Sequence, residues 1–331
     1  MRFGMIGSGS WATALAKILA DHGNDLNWWI RNTESIHYFQ KRRHNPHYLK
    51  TAYFDTTQLN LENELQNVIK LSDCLVMAVP SAYIENILNE LPSDIFEGKK
   101  ILSAIKGILP NSNLMLNDFL NQKFDFNIEN YFTVLGPCHA EEVAAEKLSY
   151  LTFSGVSSKN ALEIGNYFKT DYINIVSNQD VIGVQYAAVL KNIYALGAGI
   201  AHGLEYGDNF QSVFIANAAH EMFVFLSAMV NSDVTNINHT TSVYLGDLLV
   251  TCYSLYSRNR TFGNMIGKGY SVRSAQLEMN MVAEGHNASK CIYQINQNLG
   301  ANMPIATGIY KILWEQEEPE SVFKELEMKL L

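Results

Sequence analysis

A lysine stands in the middle of a strongly apolar stretch, where an ammonium group without a partner or a task would be destabilising. Lys191 and Asn192 interrupt residues 186–201, which are otherwise almost wholly apolar. On a helix, three of the positions three or four residues away from this lysine hold alanine, at Ala187, Ala188 and Ala195. Burial and neighbouring cations lower the pKa of a lysine, which suits such an amine to proton transfer near neutral pH. The alternatives are a lysine whose ammonium reaches the surface and a structural ion pair.

A second polar set follows in residues 245–260. If these residues form one helix, four side chains make a continuous polar stripe on it, at Asp247, Thr251, Ser254 and Arg258. The stripe runs into Ser257-Arg258-Asn259-Arg260, whose hydroxyl, guanidinium and amide donors suit a phosphate or an oxyanion. The alternative is an ordinary solvated helix face.

The N-terminal stretch carries a glycine fingerprint. An apolar run leads into Gly7-Ser8-Gly9-Ser10-Trp11-Ala12, and an apolar helical pattern follows at once, which gives strand, tight turn and helix with the spacing G-x-G-x-x-A. Gly7 permits the turn, Gly9 lets the backbone approach a pyrophosphate, and the small Ala12 lets the helix pack on the strand. The helix N-terminus offers free N–H groups to phosphates. This stretch predicts dinucleotide binding.

An arginine follows the predicted second strand, Leu26–Ile30, where the standard fingerprint has an acidic residue for the ribose of NAD. The guanidinium of Arg31 suits the 2′-phosphate of NADPH or stacking on adenine. The alternative is a solvated arginine. The sequence therefore leaves both NADPH and NADH open as cofactors.

Strand and helix patterns alternate through the first half of the chain, which favours a doubly wound parallel sheet whose ligand lies at the carboxyl ends of the strands. Further strands are predicted at Cys74–Pro80, Ile101–Ile105, Tyr131–Leu135, Leu151–Ser154 and Tyr172–Val176. After about residue 180 the strand patterns end and helical stretches follow. We therefore predict a dinucleotide-binding Rossmann-like domain over residues 1–179 and an all-helical substrate domain over residues 180–331.

Composition and net charge limit the kinds of molecule that the protein is expected to bind. The chain has 331 residues and a net charge of −9, which argues against nucleic acid or an anionic membrane as the main partner. The four cysteines are widely spaced, so we expect neither a zinc site nor a disulfide framework, and a reduced, cytoplasmic compartment fits. The N-terminus leads directly into the first strand, so no signal peptide is expected. Residues 186–201 are too short and too polar at their centre for a membrane span.

These residues together resemble the NAD(P)-dependent glycerol-3-phosphate dehydrogenases of the bacterial type, in a divergent form. The matching segments occur in family order: residues 7–16, Trp29-Ile30-Arg31-Asn32, Ala78-Val79-Pro80-Ser81, Lys106-Gly107, Gly136-Pro137, Ala140-Glu141, Leu190-Lys191-Asn192, Gly246-Asp247-Leu248, Thr251-Cys252, Ser257-Arg258-Asn259-Arg260 and Glu284-Gly285. The resemblance implies a 6-phosphogluconate dehydrogenase-like pair of domains and reduction of dihydroxyacetone phosphate to sn-glycerol 3-phosphate for phospholipid synthesis. It also implies a homodimer.

The resemblance implies a role for each matched residue. The implied cofactor contacts are Gly7, Gly9, Ser10, Trp11, Arg31, Lys106, Ala140, Arg258, Val282 and Glu284. The implied substrate contacts are Lys106, Gly136, Cys138, Lys191, Asp247, Ser257, Arg258 and Asn259. Lys191 is implied as the proton acceptor in the oxidation, with Asp247 and Lys106 assisting it, and no metal is needed.

The chain departs from the family pattern at several positions. Cys138 stands where the family usually has a hydroxyl residue, and Ala216-Asn217-Ala218 replaces a Thr-Arg-Gly segment. The stretch Ser242-Val243-Tyr244-Leu245 also differs. Two alternatives remain open: another hydroxy-acid or ketopantoate-type reductase on the same two-domain plan, and a catalytically silent cofactor-binding regulator.

Overall fold

The chain forms two compact units. A computed structural model describes residues 1–229, 238–279 and 283–330. The first unit comprises residues 1–105 and 114–181, and the second comprises residues 106–113 and 182–331. The division after residue 181 lies close to the predicted one after residue 179. The structure differs from the prediction in the segment Lys106–Asn113, which belongs to the second unit although it lies within the sequence of the first.

The first unit is built on an eight-stranded sheet in the order β3-β2-β1-β4-β5-β6-β7-β8. Its strands are β1 (Phe3–Ile6), β2 (Leu26–Trp29), β3 (Leu59–Glu62), β4 (Cys74–Met77), β5 (Lys100–Ser103), β6 (Tyr131–Leu135), β7 (Ser149–Gly155) and β8 (Ile173–Asn178). Its helices are α1 (Ser10–Asp21), α2 (Thr33–Arg42), α3 (Leu65–Leu71), α4 (Ser81–Asn89), α5 (Leu116–Phe124), α6 (Ala140–Ala144) and α7 (Ser158–Gly165).

The first strand is an interior strand of this sheet. Met5 of β1 pairs in parallel with Trp28 of β2 on one side and with Val76 of β4 on the other. All four residues of β1 are buried, as expected for a parallel strand covered by helices on both faces. This order, with neighbours on both sides of β1, confirms the predicted Rossmann-like domain.

The predicted parallel sheet contains one antiparallel pairing. Strand β7 runs antiparallel to β6, with Val134 opposite Phe153, and β8 then pairs in parallel with β7. A parallel return needs a long crossover, usually a helix of useful length. The connection from β6 to β7 contains only the five-residue helix Ala140–Ala144, so the chain turns back on itself instead.

The second unit is helical in its described part, as predicted. Its helices are α8 (Val181–Gly203), α9 (Asp208–Met229), α10 (Asp247–Tyr253), α11 (Arg258–Gly267), α12 (Val272–Glu278), α13 (Glu284–Leu299), α14 (Pro304–Tyr310) and α15 (Pro319–Glu327). Helices α8 and α9 are long and apolar enough to cross a membrane by length and composition alone. The most apolar window of α8 is 94% buried inside the protein, which is typical of the central helix of a helical core.

Candidate active site

The glycine fingerprint has the backbone that the sequence predicts. Gly7 has a φ of +123°, and a Cβ atom added there would lie 2.5 Å from the carbonyl oxygen of Ala78, so only glycine fits. Gly9 is the N-cap of α1. A Cβ atom added to Gly9 would meet no atom of the described residues within 4 Å, which leaves open space in front of the helix N-terminus. An open glycine before a helix N-terminus fits the pyrophosphate of a dinucleotide.

Two side chains that sequence reasoning missed hold this loop in place. The indole Nε1 of Trp28 donates a 2.7 Å hydrogen bond to the carbonyl oxygen of Gly7. Asn45, which is 3% exposed, donates from Nδ2 to the carbonyl oxygen of Ser8 at 3.0 Å and to Oγ1 of Thr13 at 2.8 Å. No local pattern distinguishes either residue, because each reaches the loop from a distant part of the chain.

The other cofactor residues expected in the first unit follow the carboxyl ends of its strands. Ser10 and Trp11 begin α1 and are half-buried. Arg31 follows β2, the immediate neighbour of β1, and its side chain is exposed. The next residue, Asn32, caps α2 by accepting hydrogen bonds from the N–H groups of Glu34 and Ser35. Arg31 therefore lies at a fixed position beside β1, the strand that leads into the glycine fingerprint, and its guanidinium is accessible to an anion.

The end of β6 carries the remaining predicted residues of the first unit. Gly136 has a φ of +131°, and a Cβ atom there would lie 2.8 Å from the carbonyl oxygen of Tyr150, so a side chain is excluded. Cys138 is 5% exposed, and Ala140 opens α6. These three residues lie in one short turn after the strand.

The second unit contains a buried ion pair between Lys191, the implied proton acceptor, and Asp247, which is implied to assist it. Nζ of Lys191 on α8 lies 2.5 Å from Oδ1 of Asp247, and the two side chains are 5% and 2% exposed. Oδ2 of Asp247 is buried and makes no hydrogen bond to any residue that the structure describes. An unsatisfied buried carboxylate oxygen destabilises the protein unless a ligand or a water supplies a donor. The hydroxyl group of a bound substrate is a suitable donor for this oxygen.

The residues next to this pair are also buried. Cys252 lies on the same helix as Asp247, and burial raises the pKa of its thiol to about 12, against a smaller lowering by Lys191. The thiol therefore stays neutral at physiological pH. Lys191 thus has one charged partner, Asp247, in the described ion pairs.

The predicted polar stripe on a single helix is wrong, because the helix breaks. Helix α10 ends at Tyr253, and Ser254 has an extended backbone. Ser257 then caps the next helix, accepting a hydrogen bond at its Oγ from the N–H group of Arg260. Serine at an N-cap favours the start of a new helix over the continuation of the old one. As a result Ser257 and Asn259 are buried, whereas Arg258 is exposed.

A chain of amide hydrogen bonds connects the predicted substrate residues of the second unit. Nδ2 of Asn192 donates to the carbonyl oxygen of Lys106 at 3.1 Å, and its Oδ1 accepts from Nδ2 of Asn259 at 2.9 Å. Oδ1 of Asn259 accepts from the N–H group of Gly285 at 2.9 Å. This chain places Lys106, Lys191 and the start of α11 close together within one unit. Glu284 begins α13 beside Gly285, and Val282 lies outside the described residues.

Two family models match the chain. One, described as the NAD-dependent glycerol-3-phosphate dehydrogenase N-terminus, covers residues 2–161, and the corresponding C-terminus model covers residues 180–324. Among similar curated proteins is the glycerol-3-phosphate dehydrogenase (NAD(P)+) of Clostridium botulinum (strain Eklund 17B / Type B), 34% identical over 98% of this chain and 96% of that protein. The enzyme of the same name from Bacillus subtilis (strain 168) is 32% identical over 97% of this chain and 92% of its own.

Solved structures agree with the family models. The glycerol-3-phosphate dehydrogenase of Coxiella burnetii has a TM-score of 0.88 and 25% identity, with 98% of each chain covered. A PanE/ApbA family ketopantoate reductase from Ralstonia eutropha JMP134 has a TM-score of 0.57 and 12% identity, over 97% of this chain and 99% of its own, and so shares the fold alone.

Proposed function

This chain belongs to the NAD-dependent glycerol-3-phosphate dehydrogenase family, and from that premise we propose how its own residues carry out the reaction. The protein is an NAD(P)-dependent oxidoreductase that interconverts dihydroxyacetone phosphate and sn-glycerol 3-phosphate. The observation that carries the residue assignment is the buried pair of Lys191 and Asp247, whose second carboxylate oxygen lacks a hydrogen-bond partner in the described residues.

The first unit supplies the residues proposed to hold the dinucleotide. The N–H groups at the start of α1, beside Gly9, would bind the pyrophosphate, and Gly7 shapes the turn before them. The exposed guanidinium of Arg31 would bind the 2′-phosphate of NADPH or stack on the adenine. Further proposed contacts are Ser10, Trp11, Lys106, Ala140, Arg258, Val282 and Glu284. A dinucleotide bound by these residues would supply the hydride for the reduction and accept it in the oxidation.

Lys191 is proposed to move the proton. In the reduction its ammonium group donates a proton to the oxygen that develops negative charge at C2 of the substrate. In the oxidation the free amine takes the same proton from the hydroxyl group. Asp247 holds Nζ at a fixed position, and its free Oδ2 is available to the substrate. The positive charge of Lys106 helps to stabilise the developing oxyanion.

The start of α11 is proposed to hold the substrate phosphate. Arg258 offers an exposed guanidinium, and Ser257 and Asn259 on either side offer polar groups in the first turn of the helix. A guanidinium at a helix N-terminus suits a phosphate dianion by charge and by hydrogen-bond geometry. Fixing the phosphate fixes C2 for hydride and proton transfer. Gly136 and Cys138 are proposed as the remaining substrate contacts.

The biological setting is proposed from the reaction. Its product, sn-glycerol 3-phosphate, is the backbone of glycerophospholipids, so we propose a role in phospholipid synthesis. We also propose a cytoplasmic location and a homodimer. Light scattering of the purified protein tests the dimer, because a mass near 37 kDa would contradict it.

The test of the function is oxidation of NADPH and NADH followed by absorbance, with dihydroxyacetone phosphate as substrate. We expect turnover with at least one cofactor, and none with ketopantoate or with a 2-oxo acid that lacks a phosphate. Turnover of ketopantoate alone would favour the hydroxy-acid reductase alternative. Cofactor binding without any turnover would favour the silent regulator.

A further inference from the structure

Helices α8 and α11 touch through their backbones. A Cβ atom added to Gly263 on α11 would lie 1.9 Å from the carbonyl oxygen of Leu196 on α8, and one added to Gly267 would lie 2.3 Å from that of Ile200. From the other helix, a Cβ atom on Gly199 would lie 2.1 Å from the carbonyl oxygen of Arg260. Helices with ordinary side chains pack about 8–10 Å apart, and glycines at the crossing permit the closer approach seen here.

Two glycines of α11 lie on the same helix face as Asn259. Asn259 belongs to the proposed phosphate-binding turn, which we define as residues 257–259. Asn259, Gly263 and Gly267 are spaced at four-residue intervals, so all three face α8. At the near end of this face Asn259 donates its 2.9 Å hydrogen bond to Asn192, the neighbour of Lys191. The crossing therefore continues directly into the site, one helical turn beyond Gly263.

We propose that Gly263 is a positioning residue, which sets the distance between the phosphate-binding turn of α11 and the proton donor Lys191 on α8. This inference rests on the proposed roles of Arg258 and Lys191. A methyl group at position 263 must push the two helices apart, because the atom that it meets is backbone and cannot rotate away. The displaced turn would hold the phosphate with C2 too far from Nζ of Lys191, and a misplacement of about 1 Å can lower a rate by about 10²-fold.

The competing interpretation is that Gly263 serves folding alone. Gly197 on α8 provides a matched control, because a Cβ atom there would meet the side-chain ends of Phe214 and Ile309, at 2.6 and 2.7 Å. Those contacts lie with α9 and α14, so Gly197→Ala disturbs the packing of the same helix without changing its spacing from α11. Both variants are expected to lower the melting temperature.

The experiment compares two substrates that differ only in the phosphate group. For Gly263→Ala we expect kcat/KM for dihydroxyacetone phosphate to fall about 30- to 100-fold, with KM raised and kcat lowered. The slow reduction of dihydroxyacetone, which has no phosphate to be held, should change by about threefold or less. Gly197→Ala should change kcat/KM for both substrates by a similar small factor. Gly267 lies two turns from Asn259, so Gly267→Ala should give an intermediate loss of kcat/KM, again selective for the phosphorylated substrate. This variant supplies the test if Gly263→Ala does not fold.

Arg258→Ala, measured in parallel, separates failure of the inference from failure of the proposed function. Suppose that Arg258→Ala lowers kcat/KM selectively for the phosphorylated substrate, but that the glycine variants lower kcat/KM equally for both substrates. Gly263 then serves packing alone, and the inference is overturned. If Arg258→Ala also fails to discriminate between the two substrates, the phosphate-binding role of α11 is wrong.

Discussion

Nζ of Lys191 lies 2.5 Å from Oδ1 of Asp247, and the two side chains are only 5% and 2% exposed. A buried ion pair of this kind contributes little net stability, because desolvation of both charges offsets much of their attraction. Removing one partner, however, leaves the other charge buried alone. The pair is therefore informative about function, since an apolar pair of equal volume would serve a purely structural purpose as well.

Lys191→Ala should reduce kcat at least about 10³-fold, because it removes the proposed proton donor at C2. It should also lower the free energy of unfolding by about 3–5 kcal/mol, since Asp247 is left buried and unpaired. NADH binding, measured by fluorescence, should be retained. Lys17→Ala is the control, because Lys17 is a buried lysine of the first unit whose ammonium is also paired with a carboxylate, that of Asp21, although Asp21 itself is exposed. Substantial activity in Lys191→Ala, or an equal loss in Lys17→Ala, would remove Lys191 from the mechanism.

Arg258→Ala should raise KM for dihydroxyacetone phosphate about 10- to 100-fold, as expected for the loss of a charge-assisted hydrogen bond of about 1.5–3 kcal/mol. The melting temperature should stay unchanged, because the side chain is exposed. Arg273→Ala removes an exposed arginine from α12 and should alter neither quantity. An unchanged KM in Arg258→Ala would contradict the proposed phosphate contact.

Arg31→Asp should shift the cofactor preference toward NADH. The carboxylate repels a 2′-phosphate and can accept hydrogen bonds from an unmodified ribose. We expect kcat/KM for NADPH to fall about 10- to 100-fold relative to that for NADH. Arg42→Asp, at the far end of α2, makes the same charge change and should leave the ratio near that of the unaltered protein. Equal ratios in both variants would show that Arg31 does not read the 2′-phosphate.

Glu221 should make stability depend on pH. Burial raises the pKa of this carboxyl group on α9 to about 7, against the lowering effect of hydrogen bonds from the N–H groups of Ala306 and Ile305. Because the folded state binds the proton more tightly than the unfolded state, the contribution of Glu221 to the free energy of unfolding is greatest below about pH 4.5. It declines as the pH rises to about 7, by up to about 3 kcal/mol.

Urea unfolding at pH 5 and pH 8 measures this decline, with Glu221→Gln for comparison. Glutamine cannot ionise, so the variant should lose this part of the pH dependence. The variant should be less stable than the unaltered protein at pH 5, because its amide nitrogen cannot accept the second backbone hydrogen bond. This deficit should shrink or reverse at pH 8, where only the unaltered protein has lost the contribution of Glu221. An identical pH dependence in the two proteins would show that Glu221 does not titrate in this range.

The local features of the site follow from the sequence because they depend on neighbouring residues. The conformation at Gly7 comes from a strand, a turn and a helix within twenty residues, and the pattern of residue types specifies all three. The burial of Lys191 follows in the same way from the apolar residues around it. The break in the helix before Ser257 also depends on local capping. The sequence analysis did not predict this break, because the polar periodicity of residues 247–258 indicated one continuous helix.

The contacts that make these residues a site were decided by the tertiary structure. Lys191 and Asp247 are 56 positions apart, and Asn192 reaches a carbonyl group 86 positions away. The segment Lys106–Asn113 joins the second unit, and Gly199, Gly263 and Gly267 bring α8 and α11 into backbone contact. Hydrophobic periodicity specifies which face of a helix is buried, but it does not specify which helix that face meets or at what distance. The sequence thus determined the kinds of groups available for chemistry, and packing between distant segments determined which of them meet.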